Sequence, residues 1–278
     1  KVLTFIKKLV KENDYDLIYL DHSQMALFGK FFPEKKKILM SHDVMAQRFS
    51  RKGNALNKMF ILNGEGKLMK MPNTIVFSFS EKDRKIIREV YGIDSNVTNF
   101  YLDDMVADAT PQKIEKRLVF MGKWKRADNF DGLKWFFDNV YDKISKDFKI
   151  SIIGKWLPEN FVTYVESMSN VEYLGFVDNP YEIITNSTAT VSPIFSGAGV
   201  KVKVVETLAC GTPVIGNDIA FEGISTVFEA FMIHADTPND YAEEINNMKI
   251  TLKERIDFKN RFMANYQNQL ISNYINSL

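Results

Sequence analysis

Short apolar runs alternate with stretches of helical periodicity along almost the whole chain, and no other feature restricts its fold as much. In the first third the strand-like runs are Asp16–Leu20, Lys37–Met40, Thr74–Phe79 and Asn96–Tyr101. Between them the apolar spacing predicts helices over Ser23–Phe31, Val44–Lys70 and Glu81–Tyr91. A polar stretch, Asp103–Lys116, with Pro111 inside it, reads as a linker. The alternation then restarts, with strand Arg117–Met121 before helix Asn129–Ile144, strand Lys149–Ile153 before helix Glu159–Met168, and strand Val171–Leu174 before a short helix near Pro180–Thr185. Strand Thr190–Pro193 precedes helix Val200–Cys210; strands Pro213–Gly216 and Phe231–His234, helix Pro238–Met248 and a helical tail, Leu252–Ile275, complete the pattern. Strict alternation of strand and helix argues for an α/β chain whose parallel sheets carry helices on both faces.

Two such blocks in 278 residues predict two Rossmann-like domains. The expected boundaries are 1–110 for a partial N-terminal domain, 111–250 for the second domain, and 251–278 for a helical tail packing back toward the first. The N-terminal domain is expected to be incomplete because the chain opens at Lys1 inside a helical pattern, with Val2, Phe5, Ile6, Leu9 and Val10 on one side and Lys7, Lys8 and Lys11 on the other. A first sheet lacking its early strands, in a truncated form of a larger protein or beside a partner subunit, is the expectation.

Composition narrows the chemistry. Lys plus Arg number 36 against 35 Asp plus Glu, so nothing marks a nucleic-acid binder. One cysteine excludes an internal disulfide and a cysteine-cluster zinc site, and three histidines (His22, His42, His234) argue against a His-rich metal centre. No apolar run reaches the ~18 residues of a spanning helix, and no leader pattern is visible at the start. The expectation is a soluble, cytoplasmic protein, with the lysine face of the first helix offering peripheral contact with the inner face of the plasma membrane.

Open parallel sheets bind ligands beyond the carboxyl ends of their strands. In the second block those positions are Gly122-Lys123, Gly154-Lys155, Gly175-Phe176, Phe195 to Gly199, and Gly216-Asn217-Asp218. The richest is the stretch Ser192–Gly216, which reads strand, Gly-rich turn, helix, Gly stop, strand. Gly197 and Gly199 suit turn geometry, and the amides of Ala198 to Lys201 are expected at a helix N-terminus, an anion site reinforced by Lys201 and Lys203. Glu206 follows Gly199 by seven residues, about 10 Å along a helix, the scale that separates a bound diphosphate from its ribose. An ionised carboxylate only accepts hydrogen bonds, which suits two ribose hydroxyls. Two other readings stay open. Gly197-x-Gly199-x-x-Val202 with Asp218 further on is an imperfect dinucleotide fingerprint of an NAD-dependent oxidoreductase, and Lys203 with Glu206 could be a surface ion pair.

The motif Pro193-x-x-x-Gly197-Ala198-Gly199-x-Lys201-x-Lys203-x-x-Glu206-x-x-Ala209-x-Gly211-x-Pro213 resembles the nucleotide-binding motif of retaining GT-B glycosyltransferases of family 4, the glycosyl transferases group 1, in its Gly-Ala-Gly subgroup. Val119–Trp124 with Asn129–Phe136, Ile152-Ile153-Gly154, Leu174–Asp178 and Phe221–Ile224 resemble further blocks of that family in order. The resemblance is strong over 117–235 and weak over 16–100. It implies a metal-independent hexosyltransferase that needs no cofactor and moves sugar from a nucleotide-diphosphate donor to a glycan or lipid-linked acceptor, in bacterial-type surface polysaccharide synthesis. It makes 1–110 the acceptor side and 111–250 the nucleotide-sugar-binding domain.

By the same resemblance His42, Lys123, Lys203 and Glu206 are the catalytic candidates, with His42 meeting the donor sugar. Gly122, Lys125, Arg126, Gly154, Phe176, Val177, Ser196, Gly197, Ala198, Gly199, Val200 and Lys201 are the donor-binding candidates. Ala198 stands where many members carry a sugar-contacting glutamate, and Lys123, Lys125 or Arg126 would replace the basic pair that many members use on the diphosphate. A non-catalytic nucleotide-sugar-binding module is the remaining alternative.

Overall fold

The computed structural model describes residues 1–47, 55–266 and 268–277. They form two compact units: residues 1–100 with 198–200 and 268–278, and residues 101–197 with 201–267. Part of the helix expected over Val44–Lys70 lies outside the described residues.

The first unit carries a four-stranded parallel sheet in the order β1-β2-β3-β4, from Leu17–Asp21, Lys36–Ser41, Thr74–Ser78 and Asn96–Val97. Its helices are α1 (Val2–Glu12), α2 (Ala26–Gly29), α3 (Ala55–Met69) and α4 (Glu81–Tyr91). Alternate residues of β2 face opposite ways. Leu39 joins Leu20, Val76, Met69, Ile87 and Tyr91 in one cluster, while Ile38 and Met40 pack with Phe77, Ile271 and Tyr274 in another. Helix α4 starts where Ser80 Oγ accepts from Asp83 N at 3.0 Å and stops at Gly92, whose φ of +64° suits glycine. The expected strand Asn96–Tyr101 pairs over two residues only. Helix α1 buries none of its residues.

The second unit holds a six-stranded parallel sheet in the order β10-β9-β8-β5-β6-β7. Its strands are β5 (Glu115–Met121), β6 (Lys149–Ile153), β7 (Val171–Gly175), β8 (Ser187–Ser192), β9 (Val214–Gly216) and β10 (Met232–His234). The helices are α5 (Asp104–Asp108), α6 (Ala127–Asn139), α7 (Glu159–Glu166), α8 (Tyr181–Thr185), α9 (Val202–Ala209), α10 (Asp218–Phe221), α11 (Pro238–Asn247) and α12 (Leu252–Asn265). A last helix, α13 (Leu270–Asn276), belongs to the first unit. Leu118, Phe120, Ile150, Ile152, Val191 and Ile215 from four strands meet Phe136, Phe137 and Tyr241 from α6 and α11 in one core.

The stretch read as a linker is partly ordered: Asp103 caps α5, and Lys259 of α12 donates from Nζ to Ala107 O at 2.6 Å and also to Ala109 O. Arg255, fully buried, anchors α12 by donating to Gly211 O at 2.8 Å, to Ser187 O at 2.6 Å and to Thr212 Oγ1. These bonds explain why 101–110 and α12 group with the second unit, while α13 groups with the first through Ile271 and Tyr274.

Candidate functional site

The strand order of the second sheet reverses at β5. The chain runs outward through β6 and β7 on one side and through β8, β9 and β10 on the other. The crevice beyond the carboxyl ends of β5 and β8 is therefore the switch point where such sheets take ligands. The loop Gly122–Arg126 leaves β5 there, and the Gly-rich turn lies on the segment from β8 to α9.

Glycines let these loops approach closely. A Cβ on Gly154 would sit 1.8 Å from Gly122 O, and Gly154 has a φ of +125°. Its amide donates to Gly175 O at 2.6 Å, and Tyr173 Oη donates to its carbonyl at 2.8 Å, so the ends of β5, β6 and β7 are locked together. A Cβ on Gly132 would sit 1.8 Å from Pro193 O, which shows how tightly α6 packs on the end of β8.

The turn itself differs from expectation at one point. Gly197 and Gly199 do take positive φ, +123° and +69°, but α9 begins at Val202, with Lys201 in extended geometry at the N-cap. Ala198 to Lys201 therefore form the approach to the helix and not its first turn. Lys201 already accepts at its carbonyl from Val204 and Val205, so the helix's free amides start at Val202.

Lys203 points from α9 toward α6. Its Nζ donates to Asn129 Oδ1 at 3.1 Å, and Asn129 Nδ2 donates to Lys123 O at 3.2 Å. Asn129 thus ties the helix after the Gly-rich turn to the loop after β5, and it also lies against Gly122. Burial pushes the Lys203 ammonium down to about 8, against the opposing pull of Asp128 and with Arg126 and Lys201 adding repulsion. Burial raises the Asp128 carboxyl, but hydrogen bonds and charge from Arg126, whose Nη2 is 2.7 Å away, outweigh it and hold Asp128 below its usual range. Lys201 lies 3.7 Å from Glu222 Oε2, with both side chains almost fully covered.

Glu206 is half-buried and accepts from Tyr181 Oη. Burial pushes its carboxyl up to about 7, the Tyr181 bond opposing and Asp103 adding to the rise. It does not pair with Lys203, so the surface-pair reading does not describe these two residues. Asp218, needed by the dinucleotide reading, is exposed and lies 3.1 Å from His234 Nδ1.

Two lysines on this edge cover exposed aromatic faces. Lys123 Nζ lies 4.9 Å from the centre of the Trp156 ring, and Lys155 Nζ lies 3.9 Å from that of Phe176. Val177 is half-buried beside Phe176, Ser196 is half-buried after β8, and Lys125 is exposed on the β5 loop. Trp156 holds a φ of +67°, rare for a bulky residue.

His42 belongs to the first unit, just beyond β2, with Asp21, His22 and Phe79 around its ring. Asp21, His22 and His42 offer ligand-type atoms within 4.8 Å of one another. Sequence reasoning missed Asn129, Tyr181 and Asp21 as working partners. Asp21 ends β1 and Asn129 lies in the first turn of α6 after the β5 loop, and those places were the available signal.

Residues 115–249 match the family described as Glycosyl transferases group 1. A curated relative, an uncharacterized 44.6 kDa protein in the cps region of Klebsiella pneumoniae, is 21% identical over an alignment covering 86% of this chain and 66% of that protein. The chain thus spans just under two thirds of that relative's length. Anabaena Alr3699/HepE, solved in complex with UDP, superposes with a TM-score of 0.78 at 14% identity, covering 100% of this chain and 82% of that one. Sucrose-phosphate synthase from Thermosynechococcus elongatus superposes with a TM-score of 0.73 at 14% identity, covering 99% and 76%. These likenesses establish the α/β GT-B fold with its two parallel sheets.

Proposed function

We propose, from the premise that residues 115–249 belong to the Glycosyl transferases group 1 family and give the chain a glycosyltransferase domain, that it transfers a sugar from a nucleoside-diphosphate donor to a glycan or lipid-linked acceptor with retention at the anomeric carbon. The observation that carries this reading is the Lys203–Asn129–Lys123 bridge at the switch point of the second sheet. It fixes a cation and the β5 loop where a diphosphate would sit.

Departure of a nucleoside diphosphate builds negative charge on the leaving oxygen. Lys203, Lys123 and the free amides at the start of α9 are the groups to stabilise it, and an ammonium already held by Asn129 needs no reorganisation as the charge develops. They supply the positive charge that other transferases take from a divalent metal, which supports metal independence and the absence of a cofactor. Glu206 is assigned to the ribose, Phe176 and Val177 to the base, and His42 to a sugar hydroxyl. Attack by the acceptor on the face the diphosphate leaves, with its oxygen taking the acceptor proton, keeps the anomeric configuration.

The HepE structures hold UDP and UDP-glucose, which makes uridine nucleotides the first donors to try. The cps-region relative supports a role in surface polysaccharide synthesis. Among the described residues no helix is long and apolar enough to cross a membrane. Peripheral contact with the cytoplasmic membrane face is supported by α1, where Val2 and Phe5 stand 61% exposed beside Lys7, Lys8 and Lys11.

The deciding experiment is calorimetry with UDP, GDP, ADP and TDP, followed by sugar-release assays with the matching donors, with and without EDTA. One diphosphate should bind tighter than its monophosphate, and its sugar should be released in chelator. Equal binding of mono- and diphosphate would remove the anion site, and a metal requirement would overturn the charge assignment.

A further inference from the structure

Asp21 and His22 are consecutive at the end of β1, yet both side chains reach the same ring. Along a regular strand successive side chains point to opposite faces. His22 breaks that rule with a φ of +73°, and its ring stacks on His42 with centroids 3.7 Å apart and planes inclined by 22°. Asp21 Oδ1 lies 2.6 Å from His42 Nε2. Phe79 meets the same ring edge-on at 4.9 Å. The His42 ring is therefore held on its face, on its edge and at one nitrogen, while its side chain stays 30% exposed.

An ionised carboxylate accepts and does not donate, so the proton of the 2.6 Å bond belongs to His42 Nε2. In the neutral ring Nδ1 is then the bare acceptor, and among the described residues no group donates to it. The same three residues do not make a good cation site as they stand. An imidazole binds an ion in its own plane, and two stacked planes only 22° apart do not converge within bonding distance.

We propose that Asp21 is a positioning residue that locks His42 in the Nε2–H tautomer and presents Nδ1 as the acceptor for a ligand hydroxyl. The identity of that hydroxyl, one on the transferred sugar, rests on the glycosyltransferase reading; the tautomer does not.

Long-range proton–nitrogen correlation spectra test the tautomer directly, since only three histidines contribute and His42→Gln assigns the signal. The wild type should show a protonated Nε2 with a downfield, slowly exchanging proton and an unprotonated Nδ1. Asp21→Ala should lose that proton signal, and Asp21→Asn, which keeps one acceptor oxygen, should retain it. With a competent sugar donor, Asp21→Ala should lower kcat by ~10-fold, the scale of one lost hydrogen bond, and leave UDP affinity unchanged. A proton on Nδ1 in the wild type, or a spectrum unaltered in folded Asp21→Ala, overturns the proposal. The expected spectra together with a wild type that releases no sugar from any donor would leave the tautomer standing and refute the glycosyltransferase reading instead.

Discussion

Lys203 Nζ and Asn129 Oδ1 meet at 3.1 Å across 74 residues of sequence, and this bond joins α9 to α6, the helices that follow the two loops at the switch point of the second sheet. The ammonium is desolvated, with a pKa near 8, so its charge state changes close to working pH.

Diphosphate affinity should therefore depend on pH through Lys203. Below about 8 the ammonium is charged and attracts phosphate; above it the charge is lost. UDP titrations between pH 6.5 and 9.5 should show affinity falling on the alkaline side. Lys203→Met should bind UDP weaker by ~1.5–3 kcal/mol at pH 7 and flatten that limb. An alkaline limb of the same steepness in Lys203→Met would assign the titration to another group.

Glu206 makes a stability prediction with the opposite sense from a salt-bridged acid. Its folded pKa is about 7, above the ordinary 4.5, so the unfolded chain ionises first as pH rises. The wild type should lose stability between those two values, because the folded state binds the extra proton. Glu206→Gln should remove most of that slope in thermal melts. Identical pH slopes in the two proteins would place the Glu206 carboxyl in water.

The ribose assignment is separable from stability. Glu206→Ala should weaken UDP by ~1–3 kcal/mol and should weaken 2′-deoxy-UDP less, since one acceptor–hydroxyl bond is already gone there. Equal losses for the two nucleotides would detach Glu206 from the ribose.

Two glycines of positive φ should respond differently to a methyl group. Gly154→Ala places a Cβ 1.8 Å from Gly122 O and should cost well over ~3 kcal/mol, with loss of nucleotide binding. Gly92→Ala meets nothing within 4 Å, so only its φ of +64° opposes it, at ~1–2 kcal/mol. Denaturant midpoints would rank the two, and similar losses would contradict the close packing of β5 and β6.

Arg255→Met should destabilise the second unit by ~3 kcal/mol or more, because Ser187 O and Gly211 O lose their donor in the interior. Urea unfolding of the variant measures it, and a change under 1 kcal/mol would mean that water replaces the guanidinium.

The βα alternation, the parallel sheets and the place of the Gly-rich turn are legible in the sequence, because apolar period and glycine spacing are local properties of a chain. Gly197 and Gly199 take the positive φ that their spacing implied. Tertiary structure alone decided who meets whom. The strand order that puts β5 beside β8, the Lys203–Asn129 bond, the Tyr181 hydroxyl on Glu206 and the Asp21–His42 contact all join residues distant in sequence. Parallel strands pair only through long crossovers, so such partners are fixed by packing and leave no periodic trace in the sequence. The start of α9 at Val202 and the two-residue pairing of β4 likewise emerge only in the folded chain.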